Sequence, residues 1–236
     1  TLLMFTSDNG PAFSHRYDQA PDGVSLDGSR YNNGFAGAKG SVYEGGIRVP
    51  MIARWANGLP QNIEIDDQIC FTDWLPTLLS LTNSARVGKK PIDGHDVTAV
   101  LRGDSPQEQP RRFWQFNGDS PIGVTNAAMR HGDWKLLRPA IDIAYASDAD
   151  KQLADDYIEK DIEYKYYPEN FTEKFNWPEP KKIVPEPPAP ELYDLSTDPG
   201  ETNNVAPNNP QVASRMLVEL ETWFEEVETE RQAIIE

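Results

Sequence analysis

TLLMFTSDNGP, residues 1–11, is the stretch that decides the fold. Thr1 to Thr6 form a continuous apolar run, the pattern of a strand buried on both faces in a parallel sheet, and the run ends abruptly in Ser7-Asp8-Asn9-Gly10. Asp8 and Asn9 therefore stand at the carboxyl end of a strand. In open α/β sheets ligands bind at that edge, because the departing loops converge around a crevice. An apolar strand starting at the first residue, with no leader before it, predicts that further sequence lies upstream.

Outward from this strand, Pro11 to Ala38 is rich in Gly, Asn, Asp and Ser without sustained periodicity, the mark of a long functional loop. Val49–Trp55 reads as a second strand. Asp73–Leu81 reads as a helix started by Thr72 and Asp73, with Pro76 tolerated in its first turn. A turn over Pro91–Gly94 leads to a short helix over Val97–Leu101.

Beyond about residue 105 the pattern shifts to strands and turns: Arg112–Phe116, Val124–Arg130 and Trp134–Arg138, with a hairpin around His131-Gly132-Asp133. Ile141–Pro190 is acidic, aromatic and finally proline-rich, and its prolines at 185, 187, 188 and 190 predict an extended connector. Glu191–Leu195 resumes as a strand. Val212, Met216, Leu220, Trp223, Phe224 and Val227 form a helical stripe within Gln211–Ile235 that should pack on the small sheet. The expected division is residues 1–105 and 106–236.

With 38 acidic against 22 basic residues, the net charge of -16 opposes general binding to nucleic acid or an anionic membrane. An anionic substrate would have to be drawn in by local cations. The lone Cys70 rules out an intrachain disulfide framework and a thiolate metal cluster. The run Leu2–Phe5 is too short to cross a membrane. Composition is silent on oligomeric state and compartment.

Asp8 and Asn9 offer a carboxylate and an amide carbonyl side by side, hard oxygen ligands that suit Ca2+, or Mg2+, better than a soft metal. A plain Asp-Asn-Gly turn accounts for the same residues. Lys39, between Ala38 and Gly40, has small neighbours that would let its ammonium approach a sulfate or phosphate closely, although a solvated surface lysine fits the motif too. In Tyr43-Glu44-Gly45-Gly46-Ile47-Arg48 the paired glycines allow a sharp turn that would bring Glu44 and Arg48 together as support beneath a site. The alternative there is a turn with surface charges.

His15, His95 and His131 are scattered and suggest neither a triad nor a zinc site. His15 is the best candidate for a substrate contact because its loop follows Asp8. The aromatic residues Tyr157, Tyr164, Tyr166, Tyr167, Phe171, Phe175 and Trp177 would stack on a sugar or simply pack locally. Asn170-Phe171-Thr172 fits an N-glycosylation acceptor.

Taken in order, TSDNGP (6–11), AKGSVYEGGIRVP (38–50), FTDWLPTLLSL (71–81), DGHDVTAVLRG (93–103), MRHGDWKLL (129–137) and ELYDLSTDPGETNNVA (191–206) resemble the sulfatase family. Only 11–38 and about 141–190 look unlike it. The resemblance implies an α/β fold, an alkaline-phosphatase-like mixed sheet held here in part, followed by a smaller C-terminal subdomain with an antiparallel sheet and a packed helix. It also implies hydrolysis of sulfate esters by a formylglycine nucleophile beside a calcium ion. By motif, Asp8 and Asn9 match the family's second pair of metal ligands. Lys39 matches its catalytic, sulfate-contacting lysine.

Phosphodiesterase-like relatives commonly present Asp-His where this chain has Asp8-Asn9, so Asn9 favours a one-metal sulfatase. The departures are as informative. The family's first Asp pair, its nucleophile motif and its upstream Lys and His residues are absent, and Cys70 does not match the motif, so it is no formylglycine candidate. Ala36 stands where many relatives carry arginine. The expectation is the C-terminal portion of a sulfuric ester hydrolase, inactive alone, whose complete form acts on a sulfated small molecule or sulfated carbohydrate. The family's habits suggest a periplasmic, extracellular or lysosomal setting. The alternatives are a non-catalytic anion- or metal-binding module and a phosphoester or phosphonate hydrolase of the same superfamily.

Overall fold

The computed structural model describes residues 1–12, 32–88, 90–104, 106, 109–117, 120–172 and 178–235. The opening apolar run forms β1 (Leu3–Thr6), and a one-turn helix, α1 (Glu44–Ile47), precedes β2 (Met51–Arg54). β1 and β2 pair with each other antiparallel, Leu3 facing Arg54 and Thr6 facing Met51. This corrects the expectation of a parallel strand buried on both faces, since Leu3, Phe5 and Ile52 stand 64 to 65% exposed. An apolar run reports that a strand tends to be buried; it carries nothing about the direction of its neighbour.

Behind this pair, α2 (Trp74–Leu81) follows a 3-10 turn over Phe71–Asp73, and α3 (Thr98–Leu101) follows the predicted turn. Leu59, Val97, Val100 and Leu101 form a buried cluster against which Leu2, Ala53, Trp55, Trp74 and Leu81 pack. Asp73 does not cap α2 with its side chain as the sequence suggested. Its carboxylate is fully buried and accepts from Arg112 through both guanidinium NH2 groups at 2.8 Å, from the Cys70 amide at 2.8 Å and from the His95 amide at 2.8 Å. A buried charge is tolerable only when so surrounded. The pair ties the start of α2 to the next layer.

That layer is a four-stranded antiparallel sheet in the order β3 (Arg112–Gln115), β4 (Ala127–His131), β5 (Trp134–Arg138), β8 (Glu191–Asp194). β4 and β5 form the predicted hairpin, His131 opposite Trp134, around a two-residue turn in which Gly132 takes a φ of 61°. Strand alternation sends Ala127, Met129, Leu136 and Leu192 to one face. There they bury against Ala213, Met216 and Leu220 of α5 (Pro210–Ile235), and Phe113 stacks on Trp223 with ring centroids 5.0 Å apart. The amphipathic stripe thus docks as its period predicts. On the opposite face Ala128, Leu137, Tyr193 and Leu195 bury against Val42 and Tyr43. Because both faces are covered, this small sheet acts as a platform beneath the loop that precedes α1.

Between β5 and β8 the chain makes a two-stranded pair, β6 (Ala144–Tyr145) with β7 (Lys182–Ile183), flanking α4 (Asp148–Tyr166). The composition of this segment hid a 19-residue helix. Its signals were local: Ser147 accepts from the Asp150 amide as an N-cap, Asp148 and Asp150 sit in the first turn, and Lys151 bridges to Asp155 one turn on at 2.6 Å. Ala154 is its sole buried residue among those described, so no apolar face advertises the helix. No helix among the described residues is long and apolar enough to cross a membrane.

Candidate functional site

Two glycines bring the site's segments together. The Gly10 amide donates to Gly46 O at 2.9 Å, the Gly45 amide to Ala36 O at 2.7 Å and the Lys39 amide to Pro11 O at 3.0 Å. Three stretches of backbone, 8–11, 36–41 and α1, therefore touch one another directly. A Cβ on Gly10 would lie 1.8 Å from Gly45 O, on Gly45 2.4 Å from Gly37 O, and on Gly46 2.0 Å from Ser41 O. No side chain fits between these strands of backbone. We expect Gly45→Ala to force them apart and destabilise the chain by about 1–3 kcal/mol, the usual cost of overpacking. Chemical denaturation that finds the variant within a few tenths of the parent would refute the close packing.

At this junction Asp8 is exposed just after β1, and Asn9 is half-buried with its amide nitrogen donating to Gly10 O at 2.8 Å. That hydrogen bond commits the amide nitrogen to the backbone. Lys39 is exposed between Gly37 and Gly40, which take φ of 77° and 87°. Its backbone pairing to Pro11 sets its loop beside Asp8 and Asn9. The predicted contact His15 lies outside the described residues. His95 sits elsewhere, its Nδ1 3.1 Å from the Arg112 guanidinium, and His131 belongs to the β4–β5 hairpin. Tyr164 packs edge to face on Phe171, while Phe175 and Trp177 also fall outside the described residues.

The donors at Asp8 and Asn9 fit a hard divalent cation in kind. In number they fall short, because calcium takes about six to eight oxygens. Among the described residues no group of three or more His, Cys, Asp or Glu side chains comes together to complete a set.

A family model described as Sulfatase matches residues 1–84, the stretch that carries Asp8, Asn9 and Lys39. Over these residues the chain belongs to the sulfatase family. N-acetylgalactosamine-6-O-sulfatase of Bacteroides thetaiotaomicron is 30% identical over 229 residues, spanning 94% of this chain and 36% of that sulfatase. Mouse (Mus musculus) steryl-sulfatase is 36% identical over 116 residues, 49% of this chain and 18% of the enzyme. Among solved structures, a Bacteroides thetaiotaomicron protein from a core genetic locus for metabolism of multiple glycosaminoglycans superposes with a TM-score of 0.57 at 25% identity. That match takes in 97% of this chain and 39% of the other. The chain thus spans no more than about a third of the length of these curated sulfatases.

What sequence reasoning missed in this sulfatase chain is the support under the site. Glu44 does approach Arg48, at 3.9 Å, as expected, but its close partner is Lys135 of β5, whose Nζ donates to Glu44 Oε1 at 2.9 Å. Lys135 Nζ is also 2.7 Å from Glu201 Oε1, and Glu201 Oε2 accepts from the Glu44 amide at 2.6 Å. Lys135 is fully buried and Glu44 and Glu201 nearly so. Burial pushes the Glu201 carboxyl up from its usual range, against the opposing pull of Lys135. Tyr43 and Tyr193 both donate to Glu191 Oε2, at 2.6 and 2.8 Å, adding a second tie between loop and sheet. Lys135 sits in WKLLR among apolar neighbours, and nothing local in that run marks its charge as buried.

Burial likewise pushes the Cys70 thiol up to about 11. At pH 8 its thiolate fraction is then on the order of one in a thousand. Ellman's reagent should label the native chain far more slowly than the unfolded one, and fast native labelling would contradict the burial. The folded value lies above the ordinary 9.0, so the thiol favours the native state below pH 9.0 and loses that contribution as pH rises through about 11.

Proposed function

We propose that this chain supplies the Asp8-Asn9 metal ligands and the Lys39 sulfate contact of a sulfate-ester hydrolase acting on a sulfated carbohydrate. The observation that supports the proposal is the backbone pairing of Lys39 to Pro11, which brings the Lys39 loop against the segment that follows Asp8 and Asn9 at the end of β1. In that role Lys39 would donate to a sulfate oxygen, and Asp8 and the Asn9 carbonyl would hold a calcium ion, or magnesium, that neutralises the ester's negative charge. Asn9, uncharged and oxygen-donating, supports a hard single metal over a transition-metal pair and so a sulfatase over a phosphodiesterase.

The carbohydrate class rests on coverage. Relatives aligned over nearly the whole chain include an N-acetylgalactosamine-6-O-sulfatase and a protein of a glycosaminoglycan locus, while the steryl-sulfatase likeness is confined to about half of it. No residue here matches the nucleophile motif, and a side chain cannot be replaced by its neighbours in covalent catalysis. The formylglycine would therefore come from outside these 236 residues. The test is sulfate release from sulfated oligosaccharides by the complete protein, with and without a calcium chelator, beside the same assay on this chain alone. Chelator-sensitive turnover by the complete protein and none by the chain is the expected result. Turnover by the chain alone, or phosphate esters preferred over sulfate esters by the complete protein, would overturn it.

A further inference from the structure

Five described residues other than glycine take a positive φ, and two of them, Asn126 at 45° and Glu201 at 55°, send their side chains to the same place. Asn126 lies just before β4. Its amide nitrogen donates to Gly40 O at 2.8 Å and to Phe116 O at 2.7 Å, and its Oδ1 accepts from the Val42 amide at 3.2 Å. Glu201, after β8, accepts the Glu44 amide and faces the buried Lys135. These two residues bracket Gly40 to Glu44, the segment that leads from Lys39 into the first residue of α1.

Glycine adopts a positive φ without steric cost, asparagine at a modest one, and glutamate under strain. Strain that persists calls for a compensating interaction. At both positions the compensation is a hydrogen bond to the same loop. Backbone groups of that loop and α1 then fix 36–39 and 8–11: Gly45 N to Ala36 O, Gly10 N to Gly46 O and Lys39 N to Pro11 O.

We propose that Glu201 and Asn126 are positioning residues, which hold the loop of Lys39 in register with Asp8 and Asn9 by anchoring residues 40–44 to the four-stranded sheet. Neither reaches the candidate ligands, so each acts through backbone. The inference deepens the function proposed above and rests on it for its catalytic meaning. The anchoring itself is measurable without a substrate. A displacement of the order of 1 Å between a charge clamp and the metal ligands is enough to lower turnover by about 10²-fold.

The experiment compares Glu201→Gly, Asn126→Gly and their combination with Glu201→Gln. Glycine relieves the strain and removes the anchor, while glutamine keeps an acceptor for the Glu44 amide. Glu201→Gly still leaves Lys135 paired with Glu44. Amide hydrogen exchange on the full 236-residue chain should show Gly10, Lys39 and Gly45 exchanging at least about tenfold faster in each glycine variant, with Met129 and Leu136 unchanged and Glu201→Gln close to the parent.

In the complete enzyme the glycine variants should lower kcat for a sulfated oligosaccharide with a smaller change in KM, and Glu201→Gln should restore it. Unchanged protection of the three loop amides would overturn the proposal, as would an equal loss of protection across β4 and β5, which would make the residues supports of the sheet alone. A complete protein with no sulfate-ester turnover would sink the proposed function, and the exchange comparison would still decide the anchoring.

Discussion

Lys135→Met is expected to destabilise the chain by about 3–5 kcal/mol, the scale set by removing one partner from a buried ion pair and stranding the other. Here two carboxylates would be stranded, Glu44 and Glu201, with Arg130 3.8 Å and Arg48 3.9 Å from Glu44 as the nearest remaining cations. Arg48 is more than half exposed, so water screens most of what it can offer. Neutralising the whole cluster in Glu44→Gln/Lys135→Met/Glu201→Gln should recover most of the loss, because the desolvation penalty of the charges leaves with them. Urea denaturation at neutral pH measures both. A single variant that unfolds within about 1 kcal/mol of the parent, a loss typical of exposed ion pairs, would mean that water reaches Lys135.

In the complete enzyme, Lys39→Met is expected to lower kcat on a sulfate ester by about 10²–10³-fold, the loss found when one preorganised donor to developing negative charge is removed. Lys39→Arg should recover little, since a planar guanidinium between Ala38 and Gly40 presents its donors in a fork rather than at a point. The fold should be indifferent to both changes because Lys39 is exposed and its structural contact is made by its amide. Steady-state kinetics with a circular-dichroism control separates the two effects. Turnover within about threefold of the parent would remove Lys39 from the proposed role.

The two experiments probe different levels of the same arrangement. Lys135 lies under α1, and Lys39 lies on the loop that α1 holds. If the first variant loosens the fold and the second leaves it intact while losing turnover, structure and chemistry divide along that boundary. The division also explains why the site's charged residues differ so much in burial. Asp8 and Lys39 stay in reach of solvent, while Glu44, Lys135 and Glu201 are sealed between the loop and the sheet.

Local patterns carried a large part of this molecule. The stripe from Val212 to Val227 predicts α5 because a 3.6-residue period is a property of the segment itself, and the docked face follows from it. Gly132 at the β4–β5 turn is legible for the same reason: its conformation is set within a few residues. The likeness to sulfatases adds segments in order, and with them the expectation for Asp8, Asn9 and Lys39.

The tertiary structure alone decided the direction of β1 against β2 and the fate of Lys135, whereas α4 was hidden in the sequence for want of an apolar stripe. β1 meets β2 across more than 40 intervening residues, and nothing in either apolar run encodes parallel or antiparallel pairing. α4 forms on caps and charge pairs, without the apolar face by which helices are usually found. Lys135 reaches Glu44 across 91 positions, Asn126 reaches Val42 across 84, and Glu201 reaches Glu44 across 157. A charged or amide side chain looks the same in sequence whether it meets water or a buried partner. Only the closure of the chain, which brings those partners within 2.6 to 3.2 Å and excludes solvent, turns them into the frame of the site.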